Sequence, residues 1–375
     1  MKKPTYKLPR IVPGKKVAYK KRHKWPYVIL SLVLVFVLLI GSAYWYLVTN
    51  FSYEHHEIEK TPEILGFEEV KDKRIINIAL FGIDTRTANS FKGRSDTIMI
   101  LSVNTETNKV KLISVMRDSF VPIERDGGTW YTKINAAYSV GGPALAMKTL
   151  NIIFDLDISE YVTINFFKLA EVIDLVGGIE VEVTDSEIAL INGGVNEICN
   201  AEGIENNIPP VTKAGVQHLG GKQAVSYARI RYASNAMGTS NDYGRTDRQR
   251  LVMEKLFQKA LSMKKSEALK LVKPVLKCCQ TSLDYVEIID VVLGVLSSNS
   301  KFEEARIPQM NYLMTSPKTS AGSVVYYDLN FAAKVIHSFI YKDISLKTYE
   351  EVYGIEKNDW YSKGFVRPKI EVDKN

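Results

Sequence analysis

Three short stretches of the chain pair an acid with a base: Asp84 with Arg86, Arg94 with Asp96, and Arg117 with Asp118. A further stretch gathers Arg229, Arg231, Arg245, Arg248 and Arg250 within twenty-two residues that also supply Asp242, Asp247 and Gln249. Carboxylates are hard oxygen donors for a divalent cation, and the planar fork of arginine matches phosphate oxygens two at a time. Arginines brought together inside a fold repel one another, and a charge buried without a partner is costly, so something anionic should fill the space between them. Mg²⁺ (or Mn²⁺) held by Asp84 and Asp96 would complete a clamp for a pyrophosphate. Taken singly, each acid or base is better read as a surface salt bridge beside a turn, and an Arg-rich run as a solvated helical face with internal ion pairs. Three acid-plus-base clusters on successive elements weigh against that reading for the set.

The elements that must carry these groups are legible from pattern. Runs rich in β-branched residues predict buried strands at Ile75 to Asp84, Thr97 to Asn104 and Lys111 to Met116, each with charge at one end. Asn104 to Asn108 is a polar turn, so the second and third strands form an antiparallel hairpin. Asp118 to Lys133 reads as loop, Gly141-Gly142-Pro143 opens a helix to about Phe154, and strand, helix and strand follow at Tyr161 to Asn165, Phe167 to Leu175 and Ile179 to Val183. Residues 184 to 215 read as a long polar surface excursion, and Gly221 to about Arg231 as a helix. A second helix from Gly244 to Met263 sets Arg248, Val252, Leu256, Ala260 and Met263 on one stripe, so Arg248 heads an apolar, inward face. Helices at Ala268 to Cys278 and Tyr285 to Leu296, strands near Phe302 to Ile307 and Ser323 to Tyr327, and a helix around Phe331 to Tyr341 complete the pattern. The fold class is therefore α/β with α+β character: a mixed central sheet flanked by helices.

Charge and hydropathy divide the chain further. The formal net charge is +7, yet residues 1 to 24 carry ten Lys and Arg and no acid, which leaves −3 for the rest and excludes a basic nucleic-acid binder by overall charge. Tyr27 to Val48 follows without a charge, long enough for a transmembrane helix, with Trp25, Tyr27, Tyr44, Trp45 and Tyr46 at its interfaces. No small-residue cleavage site ends it, so it reads as a retained anchor. The basic tail then lies in the cytoplasm and the body outside the cell. The organisation is a tail (1–24), an anchor (25–48), a charged linker (49–73), a main domain (74–341) and a peripheral C-terminal extension (342–375). Three cysteines, Cys199 and the vicinal Cys278 and Cys279, form no disulfide framework, and a bridge from Cys199 to either neighbour stays open. Gly215 to Lys222 nearly spells a phosphate-binding loop, but an extra glycine intervenes and Gln223 stands where Ser or Thr is needed. No Gly-x-Ser-x-Gly nucleophile turn is present.

Several stretches, in this order and behind a single anchor, carry a resemblance. They are Asn77-Ile-Ala-Leu-Phe-Gly-Ile-Asp-Thr-Arg86, Gly93-Arg-Ser-Asp-Thr-Ile-Met99, Ser114-Val-Met-Arg-Asp-Ser119, Lys133-Ile-Asn-Ala-Ala-Tyr138, Gly177-Gly-Ile179, Tyr227-Ala-Arg-Ile-Arg-Tyr232 and Asn241-Asp-Tyr-Gly-Arg-Thr-Asp-Arg-Gln-Arg250. The chain resembles the LytR-CpsA-Psr family of Gram-positive cell-envelope ligases over roughly Arg74 to Met263, and more weakly to about Tyr341. The resemblance implies a groove for a polyprenyl tail with its pyrophosphate head at the mouth. The implied activity is a Mg²⁺-dependent phosphotransferase: a glycan phosphate passes from a polyprenyl-pyrophosphate carrier to peptidoglycan, usually to the C6 hydroxyl of N-acetylmuramic acid, attaching teichoic acid, capsule or another wall polymer. Carried over by position, Asp84 and Asp96 are the implied metal ligands, and Arg94, Arg117, Arg229, Arg231, Arg248 and Gln249 the implied phosphate contacts, joined by Arg86 and Arg245. Met116 stands where the family usually has Pro, and Tyr232 to Ser240 lacks the acid that many members carry after the Arg-x-Arg pair, which leaves Asp242 as candidate proton acceptor. The implied partners are the lipid-linked donor, the peptidoglycan acceptor and membrane lipid, with no nucleic acid. A hydrolase releasing the lipid phosphate to water would share every one of these residues, and a non-catalytic envelope sensor or regulator is the rival of another class.

Overall fold

The computed structural model describes residues 53–85, 90–236, 238–297, 302–308 and 318–345. The basic tail, the apolar segment 25–48 and Arg86 lie outside these residues, as does the extension beyond 345. Among the described residues no helix is long and apolar enough to cross a membrane.

The strands are β1 (Glu54–His55), β2 (Ile75–Ile83), β3 (Ser95–Asn104), β4 (Lys109–Val115), β5 (Phe120–Arg125), β6 (Gly128–Lys133), β7 (Glu160–Asn165), β8 (Ile179–Val183), β9 (Gly215–Leu219), β10 (Gln280–Thr281) and β11 (Phe302–Ile307). The helices are α1 (Pro62–Leu65), α2 (Asn135–Phe154), α3 (Phe166–Leu175), α4 (Asp185–Glu202), α5 (Gly221–Arg229), α6 (Asn241–Ser262), α7 (Lys265–Leu276), α8 (Tyr285–Ser297) and α9 (Leu329–Tyr341). A mixed seven-stranded sheet runs β1-β10-β7-β2-β3-β4-β11, with β2, β3 and β4 antiparallel in sequence and β7 and β11 added in parallel to β2 and β4. This is the mixed sheet flanked by helices that the sequence predicts.

Side chains alternate between the two faces of each strand, and both faces are covered, which is why the strands read as near-continuous apolar runs. Ala79, Phe81, Ile83, Ile98, Ile100 and Ile113 pack in one core with Met147 and Leu150 of α2 and Val335 and Phe339 of α9. Ile78, Met99, Leu101, Val103 and Leu112 face the other way, with Ile288 and Val291 of α8. A third core joins α3, α4, α5, α6 and the β8–β9 ribbon. Full burial of one such side chain contributes about 1.5–3 kcal/mol, so the three cores hold the sheet from both sides.

Four regions depart from the sequence reading. The segment read as linker is already folded from Tyr53, because β1 pairs with β10 and Leu65 of α1 is buried. Asp118 to Lys133 is the β5–β6 hairpin rather than a loop, with Gly127 in its turn and Gly128 at the start of β6 both at positive φ. The helix expected from Gly141 begins at Asn135 and is broken at Gly142 (φ 64°, ψ −159°), after which Pro143 restarts it. Residues 185–202 of the supposed surface excursion form α4, opened by the capping box of Thr184 and Glu187.

On β11, Glu304 is half-buried, and burial together with the neighbouring Glu254 carboxylate of α6 pushes its carboxyl up to about 7. A carboxyl whose folded pKa is raised binds its proton more tightly in the native state. Its contribution is therefore full below the ordinary value of 4.5 and lost as pH climbs through about 7. Glu304→Gln should accordingly raise Tm at pH 8 and leave it little changed at pH 5, as read by thermal melts at the two pH values.

Candidate active site

Antiparallel β2, β3 and β4 bring the end of the first, the start of the second and the end of the third to one edge of the sheet. Asp84, Asp96 and Arg117 therefore meet there. A bulge sharpens the placement: Gly82 pairs with Thr97 and Ile83 with Ser95, which leaves Asp96 as the extra residue, unpaired in the ladder. Gly82 is required for it, since a Cβ at this position would stand 2.9 Å from Cβ of Thr97.

Asp96 is largely buried and shared between two guanidiniums. Its Oδ1 lies 2.8 Å from Nη1 of Arg117 and its Oδ2 3.8 Å from Nη2 of Arg245. Arg117 also reaches Asp118 at 3.4 Å, and Asp118 in turn holds Lys133 at 2.7 Å, so the β5–β6 hairpin steadies this arginine. Asp84, 39% exposed, faces Nη2 of Arg229 at 3.7 Å. Partial loss of water pushes the Asp84 carboxyl up, opposed by the Arg229 charge, reinforced by the Asp96 charge, and opposed again by Arg117 and Arg231. The two acids and the arginines of both halves of the sequence thus act on one another at one place.

Arg229 ends α5, where a helix C-terminus favours a cation, and its guanidinium sits 5.8 Å above the Phe166 ring. Arg231 follows just beyond the end of that helix and is exposed. Arg94 is exposed two residues before Asp96. Gln249 is buried beside Asp96 in a recess shared with Arg250 and Arg306, and its Oε1 has no hydrogen-bond partner. Asp242 lies in the first turn of α6, with its side chain outside the described residues.

Arg248 stands apart from the other arginines of the set. It is fully buried, as its apolar stripe predicts, but its guanidinium is engaged within the protein. Nε donates to Glu187 at 2.7 Å, Nη1 to the Ile230 carbonyl at 3.1 Å and Nη2 to the Ala233 carbonyl at 2.6 Å. Three of the five N–H donors of Arg248 are thus spent within the protein. The residue fastens the segment that carries Arg231, while Arg245, one turn earlier, reaches the site. Arg306 of β11 was not legible in the sequence: it donates to Asp247 at 2.8 Å, and Asp247 accepts from Thr239, which organises the loop after Arg231. Glu187 was missed as well, although Thr184-x-x-Glu187 is a capping-box pattern.

An apolar cavity of about 340 Å³ lies between the sheet and helices α3, α6, α7 and α8. Leu80, Met99, Leu169, Phe257, Val272 and Val292 are among its walls, and Gly82, Thr97, Asn165 and Phe166 bring it to the sheet edge that carries Asp84 and Asp96. Among the described residues the acidic donors at that edge are the carboxylates of Asp84 and Asp96, with no His or Cys beside them, and no group of three or more acids, His or Cys gathers as a metal site. Two carboxylates whose charges act on each other fit Mg²⁺, which commonly keeps waters and takes substrate phosphate oxygens for its remaining positions.

A LytR_cpsA_psr family model matches residues 43–333. The chain belongs to this family. It is 29% identical over 288 residues to the polyisoprenyl-teichoic acid--peptidoglycan teichoic acid transferase TagU of Enterococcus faecalis, covering 76% of this chain and 86% of that protein. It is 32% identical over 259 residues to the TagU of Oceanobacillus iheyensis, with 65% and 72% covered. The fold matches the family protein YwtF (TagT), solved with bound octaprenyl pyrophosphate lipid, at TM-score 0.52 and 20% identity over 76% of this chain and 99% of that one.

The buried pair separates holding from acting. Arg248→Met leaves Glu187 charged and unpaired in a dry interior and should destabilise the fold by about 3–5 kcal/mol, with Glu187→Leu added to it restoring part of the loss. Arg229→Ala, at an exposed position, should leave the melting curve nearly unchanged. Chemical denaturation of the three variants checks both.

Proposed function

We propose that the chain is a membrane-anchored phosphotransferase that moves a glycan phosphate from a polyprenyl-pyrophosphate carrier to a hydroxyl of peptidoglycan, the C6 hydroxyl of N-acetylmuramic acid. The observation that carries the reading is the continuity of an apolar cavity with a cluster of guanidiniums and carboxylates at one sheet edge. A polyprenyl chain suits the first and a diphosphate the second. The names of the relatives as teichoic acid transferases support the same donor and acceptor, and the TagT structure supports a prenyl pyrophosphate in this fold. Residues 25–48 serve as the anchor, with the body outside the cell.

In this reading the acceptor oxygen attacks the phosphorus that bears the sugar, and a P–O bond breaks to release polyprenyl monophosphate. Arg117, Arg229, Arg231 and Arg245 bind and orient the diphosphate and neutralise the charge that grows on its oxygens, with Gln249 completing the polar wall. Asp242 accepts the proton of the attacking hydroxyl. Asp84 and Asp96 would hold Mg²⁺, which supplies further charge neutralisation at the phosphate oxygens.

Full-length chain in vesicles, given a lipid-pyrophosphate glycan, Mg²⁺ and peptidoglycan fragments, should release polyprenyl phosphate and attach the glycan phosphate to the fragments, as read by mass spectrometry. Arg117→Ala should lower the rate by about 10²–10³, and Asp84→Ala or chelation of the metal should abolish it. Release of lipid phosphate without attachment would make the protein a hydrolase, unchanged transfer in Asp84→Ala would overturn the metal role of Asp84, and absence of both products from the parent chain would make it a scaffold.

A further inference from the structure

Helix α8 is apolar on two sides. Ile288 and Val291 point inward to the cavity, yet Val286, Ile289 and Leu293 lie on the outer side at 60%, 44% and 48% exposure. Their spacing of three and four residues makes one continuous stripe. The adjoining α7 buries none of its residues fully and exposes Leu269 at 49%. Around it stand Lys264, Lys265, Lys270, Lys273 and Lys277, against a single acid, Glu267. Asp290 borders the α8 stripe, and Glu287 is bound by Lys60 at 3.1 Å.

The chain itself says what lies near this face. Tyr53 donates its hydroxyl to the Leu283 carbonyl at 2.8 Å and meets the Tyr285 ring edge-on at 5.2 Å, so the described chain starts beside the first turn of α8. Only residues 49–52 separate Tyr53 from Val48, the end of the apolar segment. At roughly 3.6 Å per residue they reach at most about 18 Å. An anchor in the bilayer therefore keeps the start of α8 close to the lipid surface, and the lysines of α7 complement anionic headgroups there.

We propose that the outward face of α7 and α8 rests on the outer surface of the cytoplasmic membrane, with Val286, Ile289 and Leu293 in the headgroup region of an anionic bilayer. The two helices then form the wall between bilayer and cavity, and a polyprenyl tail passes from one apolar medium to the other without crossing open water. The proposal rests on the anchor given above and is independent of the phosphoryl-transfer chemistry.

The test uses the full chain in vesicles of phosphatidylcholine and phosphatidylglycerol. Ile289→Cys, Leu293→Cys and, as reference, Val216→Cys each carry an environment-sensitive fluorophore. All three native cysteines are free and buried, so the parent chain labelled in parallel gives the background. Nitroxide-bearing lipid should extinguish most of the signal at 289 and 293 while sparing 216, and removal of phosphatidylglycerol should weaken that loss. Equal quenching at all three positions overturns the proposal. So does shielding at 289 and 293 that follows protein-to-lipid ratio and ignores the nitroxide, which would assign the stripe to a second copy of the chain. A chain that fails to float with the vesicles removes the anchor and the docking face together, whether or not it transfers phosphate.

Discussion

The constraint behind this structure is the repulsion among cations held at one edge of a sheet. Arg117, Arg229, Arg231 and Arg245 are brought around two carboxylates, so the edge carries more positive charge than its own acids balance. Asp96 is shared by Arg117 and Arg245, and Asp84 faces Arg229 from a partly dried position. Such a place favours a ligand with several negative oxygens over a single carboxylate, because each added oxygen meets a separate guanidinium. The apolar cavity alongside lowers the local dielectric and strengthens every one of these attractions.

Holding the cluster open falls to groups outside it. The bulge at Gly82 turns Asp96 out of the ladder, and the hairpin of β5 and β6 braces Arg117 through Asp118 and Lys133. The segment with Arg231 is tied from two directions: Arg248 grips the carbonyls of Ile230 and Ala233 from a site balanced by Glu187, and Thr239 is fixed by Asp247, which Arg306 holds in turn. A charge in a dry interior needs its counter-charge built in, as Arg248 has. A guanidinium that keeps water, as Arg229 does at 40% exposure, needs no such built-in partner.

These two kinds of arginine explain what could be read from the sequence. Strands with charged ends were legible because β-branched runs and a polar turn leave one pairing for β2, β3 and β4, and that pairing alone gathers Asp84, Asp96 and Arg117. The stripe through Arg248, Val252 and Leu256 was legible too, and it correctly buried Arg248. What composition could not supply was the partner. Glu187 sat in a stretch rich in Asn and Gly that reads as surface, and its capping-box spacing is a local signal that says nothing of a helix across the core. Arg306 was hidden for the same reason, its meaning lying in a parallel pairing of β11 with β4 across nearly two hundred residues of chain. The cavity left no signature, because Met99, Phe257 and Val292 in its walls are the residues a filled core would also use.

The separation of cavity and cluster also divides affinity from rate in the proposed reaction. A prenyl tail keeps the same contacts before, during and after phosphoryl transfer, so its burial tightens binding of donor and transition state alike and cannot by itself accelerate the step. Acceleration has to come from groups whose interactions grow as charge moves onto the phosphate oxygens, and the guanidiniums of the sheet edge are placed for that. Tail contacts do have one catalytic use: they fix where the diphosphate stops, and Gly82, Thr97 and Phe166 mark the boundary at which the apolar walls end and the charged ones begin. A carrier seated to that boundary meets arginines already held by Asp84 and Asp96, with no rearrangement left to oppose the reaction.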